Sequence, residues 1–488
     1  VTLLGSARAR LPDLRGPRRR SAARPRGEPE LRLLHALAEA GCPICCESRR
    51  VDSSYFFWFF NESYYASFTL DALHRSLGFC LGHAEVLSSA QTGAAQLAYV
   101  HHVLVRRVRL ALAADAAGQG GRRPPRGPTV ARSGPCPACH SRAGGADRNV
   151  SWLAGILEDP ALFEERYGRP GMLCVPHLRA LAPRVSDAAF GRLLAAHGTA
   201  MTAALEELPA GRPGGSRGDL LERVLPALHL AVGHDTELDP YPSPDEAGSG
   251  ERARDPVAEL AESLRRDCCP LCLEVRRAWL EWTAWLDAAS SRGEPQLADL
   301  LPTCAEHVWP LVRHGRPPLA AAVARRALGA ALVEVDMARG ALLPRPRPER
   351  ERLTERLHRI LREPRRRVEA ARDVLARGLR CPVCERLAVA RDRALALLLA
   401  LLADRRHRAA FADGYGLCIA HLAQALAWDP KPETRRLLVE VEDARLASLE
   451  WELAEAMRKT AWQFRPEAKG AEQTAWRRAL LRFSGSLR

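Results

Sequence analysis

Four times along this chain two cysteines bracket a proline and one further residue, and each time a cysteine–histidine pair follows after 34, 34, 31 or 33 residues. In chain order the groups are Cys42 and Cys45 with Cys80 and His83, then Cys136 and Cys139 with Cys174 and His177. The second half of the chain continues with Cys269 and Cys272 before Cys304 and His307, and Cys381 and Cys384 before Cys418 and His421. Twelve of the 14 cysteines are used in this way, so the pattern accounts for the cysteine content almost completely. Three thiolates and one imidazole, offered as two pairs, are the donor set of a closed tetrahedral zinc site of the structural kind. Up to four structural zinc ions are therefore expected.

Other chemistries fit less well. Iron–sulfur clusters accept this donor set but seldom use it. A Cys-Pro-x-Cys at a helix start also serves thiol redox proteins, which need a preceding strand, and no strand is evident. The run Cys136-Pro137-Ala138-Cys139-His140 matches a c-type haem attachment site, but the other three copies place Cys46, Leu273 and Glu385 where His140 stands. Cys46 and Cys268 are left over, each beside a ligand position. They read as small buried side chains, with oxidation-sensitive neighbours of the metal as the alternative.

The elements that must position these pairs read as helices. Isoleucine occurs only four times, alternating β-branched runs are missing, and apolar residues recur at three-to-four spacing in 31–40, 256–266 and 369–377. Further helical runs follow the Cys-x-x-His pairs at 91–112, 188–208, 319–342 and 433–457. Proline after the first cysteine suits the first helical position, which makes that cysteine the N-cap. Gly78, Gly171 and Gly416 precede three of the Cys-x-x-His pairs and supply a tight turn into the next helix. Both ligand pairs would then sit at helix N-termini, where the dipole and free N–H groups favour thiolate.

The spacing predicts an all-α protein built as a tandem repeat of helical modules, each pinned by its own Cys3His site. The modules span 31–118 and 131–234 in a first half, and 256–343 and 344–488 in a second. The acidic Pro/Gly/Ser stretch 235–255 is the expected linker, and 221–233 and 476–485 read as closing helices. Residues 1–30 form a basic arm of net charge +5, expected to be disordered, and 344–380 a basic connector of net charge +7. Together they hold most of the chain's +14, so the body is close to neutral and lacks the spread basic face of a general nucleic-acid binder. Arginine outnumbers lysine 69 to three, a bias that reads first as the base composition of a GC-rich genome and second as arginine-specific chemistry. No export signal or membrane-spanning run is visible, so membrane insertion is not expected and a cytoplasmic, reducing setting is.

Catalytic motifs are missing: there is no Gly-Lys pair for a phosphate loop, no GxSxG and no HExxH. Nine aromatics crowd into 55–68, more than one face of a helix can bury, and some of them suit a groove or partner surface. Trp279, Trp282 and Trp285 read as core.

The Cys-Pro-x-Cys and Gly-Phe-Cys-x-x-His segments, with Thr460-Ala-Trp-Gln-Phe-Arg-Pro-Glu and Thr474-Ala-Trp-Arg-Arg-Ala-Leu, resemble an uncharacterised bacterial family of helical proteins about half this length. The resemblance covers both halves, is best in 381–488, and departs at Leu301-Pro302-Thr303-Cys304, where the usual glycine turn is replaced. It implies the helical fold and brings no activity. The function expected is a non-catalytic zinc-binding scaffold or regulator with a protein partner. A zinc-thiolate redox or metal sensor is the first alternative, and nucleic-acid binding through the arginine-rich segments is the second.

Overall fold

The computed structural model describes residues 27–89, 93–118, 130–168, 170–209, 216–235, 238, 240–243, 255–344 and 353–487. Most of the basic arm and part of the basic connector lie outside these residues. Among the described residues there are twenty α-helices and no strand, and the one extended pairing is a bridge between Gly41 and Gly171.

The first half runs α1 (Glu28–Ala36), α2 (Pro43–Trp58), a π-helical turn (Phe59–Ser63), α3 (Ser67–Ser76), α4 (Leu81–Ser89) and α5 (Ala94–Gly118). It continues with α6 (Pro137–Leu157), α7 (Pro160–Arg166), α8 (Val175–Leu181), α9 (Asp187–Glu207) and α10 (Arg217–Ala231). The second half runs α11 (Pro256–Ser263), α12 (Pro270–Arg292), a 3-10 turn (Pro295–Leu300), α13 (Ala305–His314) and α14 (Pro317–Leu342). It closes with α15 (Leu353–Arg377), α16 (Pro382–Leu401), α17 (Arg405–Asp413), α18 (Ile419–Ala427), α19 (Pro432–Arg458) and α20 (Ala475–Ser484).

The four Cys-Pro-x-Cys pairs open α2, α6, α12 and α16, with cysteine as N-cap and proline in the first turn. Helices α2 and α6 pack against each other: Val51 fills the space over Gly145, and Asp52 pairs with Arg142. Because Phe56, near the end of α2, reaches His83 beside the start of α6, the two helices run antiparallel. In the second half α12 and α16 are similarly placed, with the Arg386 guanidinium 4.1 Å from the Trp282 ring centre.

The long helices tie the two halves together. Helix α5 lies along α19, α9 along α14, α10 along α14, and α20 against α4 and α5. Arginine carries much of the polar contact, since its planar fork can grip two acceptors at once. Arg109 donates to Asp443 at 2.8 Å and to Glu450 at 2.7 Å, and Arg435 grips both oxygens of Asp115 at 2.6 and 2.9 Å. Arg179 on α8 donates to Glu334 on α14 at 2.6 Å. Two more arginines close helix C-termini of the opposite half: Arg217 on the Val312 and Gly315 carbonyls at 3.0 and 2.7 Å, Arg477 on the Ser88 carbonyl at 2.8 Å. These carbonyls have no intrahelical partner, so each guanidinium satisfies acceptors the helix leaves open.

The acidic stretch expected to be a linker is in part core. Tyr241 is buried against Trp279 and His307, the Trp279 indole N–H donates to the Pro242 carbonyl at 3.1 Å, and Asp235 pairs with Arg313. Residues 244–254 lie outside the described residues. Among the described residues no helix is long and apolar enough to cross a membrane.

Candidate metal centres

All sixteen expected ligands fall into four groups, each of three cysteines and one histidine whose donor atoms lie within 4.8 Å of one another. The groups cross between modules, which corrects the expectation that each module is pinned by its own site. Cys42 and Cys45 meet Cys174 and His177, and Cys136 and Cys139 meet Cys80 and His83. In the second half Cys269 and Cys272 meet Cys418 and His421, and Cys381 and Cys384 meet Cys304 and His307. The reason is helix length. Helix α2 has 16 residues and carries the chain about 24 Å from Cys42 at 1.5 Å per residue. The ten residues of α3 bring it back only about 15 Å, so Cys80 and His83 stay near the far end of α2. The antiparallel neighbour α6 starts at that end, and its own Cys-x-x-His returns to the start of α2.

The dimensions suit a zinc ion. With Zn–S of about 2.3 Å and Zn–N of about 2.0–2.1 Å, a tetrahedron puts sulfurs about 3.8 Å apart and nitrogen about 3.6 Å from sulfur. Cys45 and Cys174 sulfurs are 3.8 Å apart, Cys80 and Cys139 3.6 Å, Cys272 and Cys418 3.8 Å, and Cys304 and Cys384 3.7 Å. These separations are too long for disulfides, whose sulfurs sit about 2.05 Å apart. In every group it is histidine Nδ1 that faces the thiols, at 3.1–3.4 Å in the His177 group and 3.2–3.8 Å in the His307 group.

The electrostatics of each group also call for a cation. Burial opposes charge on His83, yet the Cys136 and Cys80 sulfurs beside it push its pKa up to about 9. His177 is driven the same way, to about 10, by Cys42 and Cys45. Within a group the thiols split. Contacts from Cys174 and Cys42 hold Cys45 well below the usual thiol range, while burial and its two thiol neighbours hold Cys174 well above it. The same division separates Cys136 from Cys139 and Cys381 from Cys304. Three thiols this close cannot all ionise without a positive centre, and a dication bound by all three removes the conflict.

The surrounding residues were not legible as site residues in the sequence. His307 Nε2 lies 2.8 Å from the Tyr241 hydroxyl, which donates to Glu306 at 3.5 Å; with Nδ1 on a metal, Nε2 would carry the proton and donate to that hydroxyl. Such outer partners fix the tautomer and orientation of a ligating histidine. His83 Nε2 is buried against Phe56 and, among the described residues, has no hydrogen-bond partner. His234 Nε2 accepts the Cys42 backbone N–H at 3.2 Å, and its ring stacks 4.0 Å from His229. His197 on α9 donates to the carbonyl of Leu173, and Glu442 on α19 accepts the N–H of Leu417, so each reaches the residue directly before a ligand cysteine. Glu442 is buried with Arg482 of α20 as its counter-ion.

Gly233 and Gly485 follow the closing helices and sit on two of the groups. A Cβ at Gly233 would lie 2.9 Å from Cys45 sulfur, and one at Gly485 2.9 Å from Cys272 sulfur. Both have positive φ, at +88° and +79°. The three glycines expected to make turns divide: Gly78 and Gly416 have positive φ, whereas Gly171 does not. At Gly171 the constraint is close approach, since a Cβ would lie 2.5 Å from the Leu37 carbonyl oxygen.

The remaining singled-out residues lie outside the four groups. Cys46 and Cys268 are part-buried, and Cys384 is the one exposed ligand cysteine. His140 is exposed and belongs to no group. Phe56 and Phe59 turn inward onto Phe79, while Phe57, Trp58, Tyr65 and Phe68 are exposed. Compared with family models, with curated proteins and with solved structures, the chain matches none.

Proposed function

We propose that this chain is a non-catalytic helical scaffold or regulatory protein whose fold is fastened by four structural Cys3His zinc sites. The observation that supports the reading is the set of four donor groups at tetrahedral spacing, each drawn from two modules. All four donors of each group come from the protein, which leaves a bound zinc no open position for a substrate. The zinc would supply cross-linking: it would join chain segments 53 to 80 residues apart in two of the groups and 129 to 152 apart in the other two. The same reading takes the two halves as copies of one ancestral unit, as the resemblance of both halves to one family implies, and a protein as the partner. Elemental analysis of protein purified without a histidine tag tests it. About four zinc ions per chain, with loss of helical signal on chelation, is the expected result; a metal-free, fully helical protein would overturn it.

A zinc-thiolate sensor is the second reading, favoured by the exposure of Cys384. Peroxide would take two electrons from the Cys384 and Cys304 thiolates, 3.7 Å apart, leaving a disulfide, two hydroxide ions and free zinc. Release of one zinc per chain at stoichiometric peroxide supports this reading, and retention of all four counts against it.

A further inference from the structure

The module that begins at α11 differs from the other three between its two ligand pairs. The others place a helix there, α3, α7 or α17, of ten, seven and nine residues. Here a six-residue 3-10 turn stands instead, and the gap between the pairs is the shortest of the four, at 31 residues. Beside that turn lies a cleft of about 1240 Å³ bounded by the end of α9, the end of α12, the turn and α14. Its size exceeds the roughly 300–1,000 Å³ usual for small-molecule sites.

The walls are largely apolar. Leu297, Leu301, Ala322 and Val333 line the cleft, and a Cβ at Gly329 would meet no atom within 4 Å, so α14 presents open space there. Its charged lining residues are three arginines and one acid, Glu294. Arg292 is neutralised by Glu294 at 2.7 Å. Arg325 and Arg326, adjacent on α14, are not neutralised in that way. Arg325 donates only to the Leu205 carbonyl at 3.4 Å, and among the described residues no carboxylate pairs with it. Arg326 faces Asp299 at 3.8 Å, but Asp299 is 89% exposed, so the pairing is weak. The Arg326 Nε is itself buried and, among the described residues, has no partner.

We infer that the cleft binds a single-chain anionic amphiphile, with its apolar chain along α14 and its anionic head at Arg325 and Arg326. An apolar lining with two guanidiniums carried by α14 complements a carboxylate-headed chain and disfavours a cationic one. Leu301 lines the cleft three residues before the ligand Cys304, so an occupant would touch the segment that carries one metal centre.

The test is titration calorimetry of the full-length zinc-loaded chain with sodium dodecanoate, and with dodecyltrimethylammonium as the cationic match, both below their micellar concentrations. The inference expects one saturable dodecanoate site per chain, at least about tenfold tighter than for the cation. Gly329→Phe should abolish it with helicity and zinc content unchanged, and the pair Arg325→Gln, Arg326→Gln should erase the preference for the anion. No saturable dodecanoate binding, equal binding of anion and cation, or binding that survives Gly329→Phe would each overturn the inference.

Discussion

At the scale of residues, the crossed ligand groups make a prediction that sequential pairing does not. Removing Cys42 and Cys45 together with Cys174 and His177, all to non-ligating residues, takes out one complete group in the observed arrangement. Zinc content should then fall from about four per chain to about three. Had each module held its own metal, the same four substitutions would break two sites and leave about two. A second residue-scale prediction concerns His101, fully buried on α5 against Phe483 of α20. Its Nδ1 donates to the Leu97 carbonyl at 2.8 Å, its Nε2 has no partner among the described residues, and burial lowers its pKa to about 4 from 6.5. The folded form therefore holds the neutral ring while the unfolded form takes up a proton as pH falls below 6.5. Stability from this group is intact above pH 6.5 and is lost progressively down to pH 4, by about 3 kcal/mol in all. Urea unfolding at several pH values, compared between the parent and His101→Leu, should show the parent losing more stability over that window. Parallel curves for the two proteins would refute the assignment.

At the scale of elements, the closing turns are the most constrained points. Gly233→Ala and Gly485→Ala would each force a Cβ against a ligand sulfur and hold a side chain at positive φ, at a cost of about 2 kcal/mol or more per site. The expected readout is faster zinc loss to a chelator from one group in each variant, and unchanged kinetics would show that the loops give way freely. The sequence revealed the helical class, the proline-marked helix starts and the sixteen residues that gather into the four Cys/His groups, because those follow from local periodicity and local spacing. It did not reveal which pairs meet, because that depends on the antiparallel packing of α2 on α6, which no local pattern records. The same limit explains Tyr241, which looked like part of a linker and whose value lies in reaching His307. It also explains Trp285, placed in the core by a three-residue spacing: steps of three drift around a 3.6-residue helix, so Trp279 is buried and Trp285 is 38% exposed. The aromatic run divides for a related reason, since consecutive positions cannot share one face.

At the scale of the whole molecule, the arginine excess and the crossed metal groups do parallel work. Within each half, a metal group joins the start of one long helix to the segment after its antiparallel neighbour. Between halves, α10 lies on α14 and α20 on α5, while Arg217 and Arg477 each close a helix of the other half. His234 lies at the Cys42 group, Leu238 over Gly82, and Tyr241 at the His307 group. Helices α5 and α14, which take part in these contacts, carry buried apolar residues such as Leu104, Val108, Leu328 and Val335. Burying such faces is the main source of stability in a helical assembly, at roughly 25 cal/mol per Å² of apolar surface. Residues 1–243 and 256–488, produced separately with zinc, should therefore be aggregation-prone or poorly helical alone. Mixed during refolding, they should form a 1:1 complex of about the parent's mass by light scattering, with the parent's zinc content. Two well-folded monomeric fragments that ignore each other would mean that the contacts of α5 with α19 and of α9 with α14 contribute little, and that each half stands on its metal groups alone.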